Sequence, residues 1–364
     1  MKPWRIIISG GGTGGHIYPA IAIAQEIQKR QEQADILFVG ASDRMEMQMV
    51  PKAGFKIIGL WISGIQRKLR LSNLLFPFKL LWSMLKARSI IKKHQPDIVI
   101  GTGGFASGPL LKMANIMKYP SLIQEQNSYA GVTNKWVANQ AEAICVAYDN
   151  MERYFPKEKI TWTGNPVRQD LIDNTLSQSE ALSKFKLQQN KQTVLVIGGS
   201  LGAMMINKTI AKHIELFKNL NCNLIWQCGA YYYDDYKSYN SKTEKVFKYI
   251  HDMQAAYASA DIIISRAGAG SVSELSLVGK PVIFIPSPNV AENHQYKNAK
   301  SVSDHNAAIC IEEKNIDQEF EPTLKGLLKN KDKQQNLSTN IKAQAKPNAT
   351  KDIVDLVEKI ISKQ

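Results

Sequence analysis

The chain states one local grammar twice. An apolar run, Ile6-Ile7-Ile8, enters the glycine-rich turn SGGGTGGH ending at His16, and helix-compatible spacing follows over Pro19–Gln28. The same order returns at Thr193–Ile197, which enters GGSLGA and then a helical stretch from Met204. A short β-branched run that breaks into glycines and then turns helical is a strand, a tight turn and a helix. Further apolar runs at Ile36–Val39, Asp97–Ile100, Ser121–Gln124, Ala143–Val146, Leu224–Gln227, Asp261–Ser265 and Pro281–Ile285 alternate with helical stretches. This alternation predicts an α/β chain with parallel, doubly wound sheets. Its 364 residues leave room for two domains at roughly 150 residues each. The turn chemistry of TGNPVR, Thr163–Arg168, marks a hinge. The expected domains are therefore residues 1–165 and 166–346, and a last helical pattern, Asp352–Ile361, follows Pro347. Ligands of such sheets bind at the carboxyl ends of the strands, so two of them facing each other would form a cleft.

Composition removes several classes. Four isolated cysteines, Cys145, Cys222, Cys228 and Cys310, form no CxxC pair, which argues against a cysteine zinc site or a disulfide framework and suits a reducing cytoplasm. No signal peptide is read at the amino terminus, and no stretch of about 18 apolar residues predicts a membrane span. Lys and Arg number 46 against 32 Asp and Glu, a net charge of +14, with most of the excess before Pro166. Between Gly64 and His94 lie Arg67, Lys68, Arg70, Lys79, Lys86, Arg88, Lys92 and Lys93 with no acid among them. Nucleic acid, an anionic membrane or a phosphate-rich substrate would each suit that charge. In the same stretch Leu74, Phe78, Leu81 and Leu85 share one helical face while Phe76, Leu80 and Met84 project elsewhere. A core helix with a solvated basic end, or a surface helix dipping Leu, Phe and Trp82 into lipid, would both look like this. Pro77 either kinks the helix or sets its start near Phe76. No nucleic-acid-binding signature accompanies the charge.

The loops suggest chemistry. Gly10, Gly12 and Gly15 satisfy GxGxxG, but the strand that should end in a ribose-binding acid ends Val39-Gly40, and no Gly-Lys-Ser/Thr closes a P-loop. What remains is a bare glycine turn at a helix start, whose N–H groups can approach a diphosphate. His16 sits where that helix begins, either packed or serving as a base, since histidine titrates near neutral pH. Two more clusters, GTGGFASG at 101–108 and Gln124-Glu-Gln-Asn127, also follow strands. Glu125 is a second base candidate, a sugar acceptor or a solvated loop carboxylate. After Asp261–Ser265 comes RAGAGSVSE, with Glu274 one turn into the helix, placed to bind both ribose hydroxyls or to complement the helix dipole. Glu292-Asn-His-Gln295 adds donors and acceptors suited to a sugar. No DxD and no His/Asp/Glu cluster at ligand spacing occurs, so no metal is implied.

The segments GGGTGGHIYPA, GTGGFASGP, QEQNSYAGVTNKW, TGNPVR, GGSLGA, SRAGAGSVSE and NHQYKNA occur in an order that resembles the MurG family of glycosyltransferases across most of the chain. The resemblance implies a GT-B fold, with two Rossmann-like doubly wound domains facing across a cleft and the terminal helix returning to the first. It implies an inverting, metal-independent transferase of peptidoglycan synthesis without a cofactor. N-acetylglucosamine would move from UDP-GlcNAc to the muramyl 4-hydroxyl of undecaprenyl-pyrophosphoryl-MurNAc-pentapeptide (lipid I), giving lipid II, at the cytoplasmic face of the plasma membrane.

Motif by motif, the resemblance makes His16 the proposed base, with Glu125 as its alternative. It places Thr13, Gly14, Gly15 and Asn127 near the donor sugar and diphosphate. Arg168, Ser200, Ile250, Ala269, Gly270, Ser271, Val272, Ser273, Glu274 and Gln295 would form the donor pocket, with the Ile250 backbone on uracil and Glu274 on ribose. It favours the membrane for the basic segment, through Leu74, Leu75, Phe76, Phe78, Lys79, Trp82, Lys86 and Arg88, and no nucleic acid. Gly270 and Gln124 depart from residues common in the family, a bulkier side chain and a histidine respectively. Another lipid or natural-product transferase, a non-catalytic nucleotide-sugar-binding protein and a dehydrogenase are the competing readings.

Overall fold

The computed structural model describes residues 3–64, 74–167, 176–199 and 201–363. The chain divides into two compact units, Met1–Val167 with Asn348–Gln364, and Arg168–Pro347.

The first unit holds a parallel sheet of seven strands: β1 (Arg5–Ser9), β2 (Asp35–Ala41), β3 (Lys56–Leu60), β4 (Ile98–Gly101), β5 (Ser121–Glu125), β6 (Ala143–Val146) and β7 (Ile160–Trp162). Their order is β3-β2-β1-β4-β5-β6-β7. The second unit holds six parallel strands: β8 (Thr193–Ile197), β9 (Asn223–Gln227), β10 (Glu244–Phe247), β11 (Ile262–Ser265), β12 (Val282–Phe284) and β13 (Ile309–Cys310). Their order is β10-β9-β8-β11-β12-β13. The isoleucine runs explain the interior strands. Ile6 and Ile8 enter one apolar cluster and Ile7 the opposite one, so both faces of β1 are covered.

In each sheet the strand order reverses beside the first strand, between β1 and β4 and between β8 and β11. Ser9 pairs with Gly101, and Ile197 with Ser265, so the two loops that leave each reversal start side by side. Such a switch point is where open α/β sheets bind ligands. All four glycine turns singled out above stand at these two places.

The helix Ala349–Ile361 belongs to the first unit. Its Ile353, Val354 and Val357 complete the cluster formed by Ile6, Ile8, Ile17 and Ile23. Arg30, in the helix Gly14–Arg30, fixes it by pairing with Asp355 at 2.5 Å and Glu358 at 3.5 Å and by donating to the Lys351 carbonyl at 3.1 Å. The edge strands β3, β7, β10 and β13 have no counterpart among the apolar runs. They are short and of mixed polarity, as Ile160–Trp162 and Glu244–Phe247 show. Pairing to an inner neighbour, rather than their own pattern, makes them strands.

Candidate active site

At the first switch point, the turn after β1 is braced from beneath. Glu46 is fully buried, one residue into the helix Glu46–Lys52. Its carboxylate accepts the Gly12 N–H at 3.0 Å and the Ala41 N–H at 2.9 Å. The Gly11 N–H reaches the Gly103 carbonyl of the neighbouring turn at 3.4 Å. The two turns interlock so closely that a Cβ on Gly104, where φ is +84°, would lie 2.2 Å from the Gly11 carbonyl oxygen. Only glycine meets both demands.

Thr13 precedes the helix in extended conformation and its side chain caps nothing. Its carbonyl takes the His16 and Ile17 N–H groups at 3.1 and 3.2 Å. The Gly14 and Gly15 amides, in the first turn, have no intrahelical acceptor.

His16 is half-buried, and its Nδ1 lies 3.0 Å from the Thr102 carbonyl and 2.8 Å from Gln126 Oε1. The Thr102 hydroxyl donates to the His16 carbonyl at 2.7 Å, which pins the backbone as well. Nε2 makes no hydrogen bond among the described residues. A ring held at one nitrogen and open at the other can take a proton.

Glu125 stands differently. It is 1 % exposed at the end of β5 and turns inward. Oε1 accepts the Asn127 N–H at 3.0 Å and its Nδ2 at 3.3 Å, while Oε2 accepts the Gly131 N–H at 2.9 Å and Asn134 Nδ2 at 2.8 Å. Both oxygens accept hydrogen bonds within the loop that carries Asn127. Gln124 is buried and donates to Asn165 Oδ1 at 2.9 Å, and Asn165 Nδ2 returns to the Gln126 carbonyl at 3.0 Å. The TGNPVR turn is thus tied to the end of β5.

At the second switch point side chains and close backbone approach share the bracing: Asn207 Nδ2 donates to the Cys228 carbonyl at 2.8 Å, and Arg266 donates to the Ile285 carbonyl at 2.9 Å and pairs with Glu313 at 2.5 Å. A Cβ on Gly202, where φ is +84°, would lie 2.0 Å from the Cys228 carbonyl oxygen, so the turn after β8 lies against the end of β9. Gln227 bridges two segments, donating to the Gly199 carbonyl at 3.1 Å and accepting the Ile250 N–H at 2.8 Å. Ile250 is buried and its amide is spent on Gln227.

The helix Ala269–Val278 starts from Gly268 with no side-chain cap. Val272 N–H returns to the Gly268 carbonyl at 2.9 Å, so the amides of Ala269, Gly270 and Ser271 have no intrahelical acceptor. Val272 is buried, and the Ser273 hydroxyl donates to the Ala269 carbonyl at 3.1 Å. Glu274 is half-buried and accepts the Tyr257 hydroxyl at 3.4 Å. Gln295 Oε1 accepts the Ser287 N–H at 2.9 Å and shapes the loop after β12. Arg168 and Ser200 lie outside the described residues.

Burial pushes the Cys145 thiol up to about 12 and those of Cys222, Cys228 and Cys310 up to about 11. All four stay protonated near neutral pH, which removes a cysteine nucleophile. Among the described residues no His, Cys, Asp and Glu group is arranged to hold a metal ion.

Two family models match the chain: the glycosyltransferase family 28 N-terminal domain over residues 6–146, and its C-terminal domain over residues 193–354. Full-length relatives agree. The chain is 55% identical to a UDP-N-acetylglucosamine--N-acetylmuramyl-(pentapeptide) pyrophosphoryl-undecaprenol N-acetylglucosamine transferase of Flavobacterium psychrophilum, over 100% of both chains. The chain belongs to glycosyltransferase family 28. A family 28 relative of the same name in Christiangramia forsetii is 57% identical over 98% of each chain. A crystal structure of Acinetobacter baumannii MurG superposes with a TM-score of 0.81 at 28% identity, covering 98% of this chain and 100% of that one. Family 28 membership, two parallel-sheet units and this superposition make the architecture a two-domain α/β fold of the GT-B type.

Within this family 28 chain, the helix Phe76–His94 settles the question of which residues face outward. Pro77 falls at its start. Ser83, Ala87, Ile90 and Ile91 are buried, with Phe76, Leu80 and Met84 packed on the same core. Leu74, Phe78, Leu81, Trp82 and Leu85 are each more than half exposed, and Arg88, Lys92 and Lys93 continue outward along the second half. Two lysines of the expected basic set turn back on the protein. Lys79 donates to Ser63 Oγ at 3.1 Å and lies over the Trp61 ring, and Lys86 donates to the Gly59 carbonyl at 2.8 Å. Arg67, Lys68 and Arg70 lie outside the described residues. No helix among those residues is long and apolar enough to cross a membrane.

Proposed function

We propose that this chain transfers N-acetylglucosamine from UDP-N-acetylglucosamine to the muramyl 4-hydroxyl of undecaprenyl-pyrophosphoryl-N-acetylmuramyl-pentapeptide, with inversion at the anomeric carbon. The observation that carries this reading is the end-to-end match, at 55% identity, to a relative bearing that activity in its name.

The chemistry divides between the two units. In the first, His16 Nε2 removes the proton from the attacking hydroxyl. Its oxygen bonds to the anomeric carbon as the bond from that carbon to the diphosphate breaks. The Gly14 and Gly15 amides and Asn127 hold diphosphate and sugar oxygens, and Glu125 keeps Asn127 in place. In the second, the open amides of Ala269, Gly270 and Ser271 and the helix dipole receive charge on the leaving UDP. Glu274 accepts from ribose hydroxyls, Gln295 binds the sugar and the Ile250 carbonyl faces the base.

The acceptor is anchored in lipid, so the enzyme works at a surface. The exposed row Leu74, Leu75, Phe78, Leu81, Trp82 and Leu85 is an apolar face that enters a membrane, and Arg88, Lys92 and Lys93 meet anionic headgroups at its cytoplasmic side. Each basic residue near such a surface contributes about 1 kcal/mol. Replacing Arg88, Lys92 and Lys93 together by Gln is therefore expected to weaken binding to anionic vesicles by about 100-fold at low salt. Cosedimentation at rising salt checks it, because screening erodes the same attraction. Equal binding by variant and wild type, insensitive to salt, would remove the basic arm.

The decisive assay is transfer of radiolabelled N-acetylglucosamine from UDP-N-acetylglucosamine to a lipid I analogue in EDTA, with UDP release followed in parallel. Turnover is expected. Donor binding without turnover on that acceptor would overturn the reading.

A further inference from the structure

Two groups lie against His16 Nδ1, the Thr102 carbonyl and the Gln126 side-chain amide. Gln126 is 2 % exposed, and its Nε2 lies 2.7 Å from the Thr102 carbonyl oxygen and 3.0 Å from the Gln124 carbonyl oxygen. It also meets the Gln124 side-chain oxygen. All three are acceptors only, so this end of the amide must be the NH2 group. The amide oxygen is thereby turned to His16 Nδ1 at 2.8 Å. An amide oxygen can only accept, and so can the Thr102 carbonyl, 3.0 Å from the same nitrogen. Among the described residues Nδ1 therefore faces two acceptors and no donor.

We propose that Gln126 is a positioning residue that, with the Thr102 carbonyl, locks neutral His16 as the Nδ1–H tautomer and leaves the Nε2 lone pair open for the acceptor hydroxyl. This deepens the proposed function and rests on His16 being its base. A neutral histidine carries one ring proton, and a proton on Nε2 would block the attack while leaving Nδ1 against two oxygens. The lock runs outward: Gln124 orients Gln126, and Asn165 orients Gln124 and also holds the Gln126 carbonyl at 3.0 Å. Through this network Gln124, Gln126 and Asn165 act on the reacting hydroxyl by way of His16. When His16 becomes doubly protonated during transfer, the same two oxygens still accept its Nδ1–H.

The test uses the full chain labelled with 15N at histidine, read by two-bond proton–nitrogen NMR, with H16Q identifying the His16 signals. The expected result is a protonated Nδ1 and an unprotonated Nε2. The opposite tautomer in the wild type overturns the proposal and does not require any Gln126 variant to fold. In Q126M, an Nε2–H population is expected to appear and kcat to fall about five- to tenfold, the worth of one hydrogen bond, with the KM for UDP-N-acetylglucosamine unchanged. An unchanged tautomer and an unchanged kcat in Q126M would also overturn it. The failure of the base reading looks different. Wild-type kcat in H16Q, with the wild-type spectrum still showing Nδ1–H, would remove His16 from the chemistry and leave the tautomer lock standing.

Discussion

The turns after β1 and β8 share a grammar and are held by different means. Below the first lies the carboxylate of Glu46, and beside it stand His16, Thr102 and Gln126, linked through side-chain amides and a hydroxyl. The second is held by the close approach of Gly202 to Cys228 and by the neutral amides of Gln227 and Asn207, and its turn, GGSLGA, carries no histidine. The difference follows from the task proposed for each. Moving a proton needs one side-chain atom kept in one orientation, which takes several side chains to enforce. Receiving a diphosphate needs several N–H donors and little else, and a bare helix start supplies them.

That contrast can be broken where it is strongest. His16→Ala is expected to lower kcat by about 10²–10⁴-fold while UDP affinity stays put, measured by turnover and by calorimetric titration of UDP. A rate within a few fold of wild type would erase the contrast, since the first turn would then carry no base. The next effect is on stability. Glu46→Ala strands the Ala41 N–H in a buried setting, at about 1–3 kcal/mol, and removes the acceptor of the part-buried Gly12 N–H at a lesser cost. Urea unfolding should show a loss of about 2–4 kcal/mol together with reduced kcat. A change below about 0.5 kcal/mol would mean that the interlocked glycines hold the turn unaided.

On the other side of the comparison the effects are smaller and fall on binding. Glu274→Ala should raise the KM for UDP-N-acetylglucosamine about tenfold with a lesser change in kcat, as expected when uniform binding is lost. Identical affinity for UDP in variant and wild type would take Glu274 out of the pocket. Smallest is Gly270→Ala. A Cβ there meets open space, so the substitution should stabilise the helix by about 0.5–1 kcal/mol in thermal unfolding. Destabilisation would show that the helix start is as closely packed as the turn after β1.

The sequence exposed the interior strands and the four glycine turns because both signals are local. Ile6-Ile7-Ile8 reads as a strand buried on both faces, and glycine runs mark where a backbone must turn or be approached. The edge strands stayed hidden because Lys56–Leu60 and Glu244–Phe247 carry no pattern of their own. Glu46 was invisible for a different reason. One of its partners, Gly12, is 34 residues away, and nothing in RMEMQMVPK distinguishes a buried carboxylate from a solvated one. Glu125 was found, but its inward turn depends on Gly131 and Asn134, whose approach is tertiary. The helix Phe76–His94 was ambiguous because apolar residues occupy most of its faces. Phe78, Leu81 and Leu85 share its outward face, and Leu74, which the spacing groups with them, is exposed just before the helix begins.

The return of the helix Ala349–Ile361 sets the order in which the molecule can be finished during synthesis. The second unit is continuous in sequence and can close its own core as soon as it leaves the ribosome. The first unit is begun earlier, yet the apolar wall around Ile17 and Ile23 lacks Ile353, Val354 and Val357 until the whole second unit has been made. A nascent chain therefore carries an open hydrophobic seam through most of its translation, and a premature stop before Ala349 would leave that seam open for good.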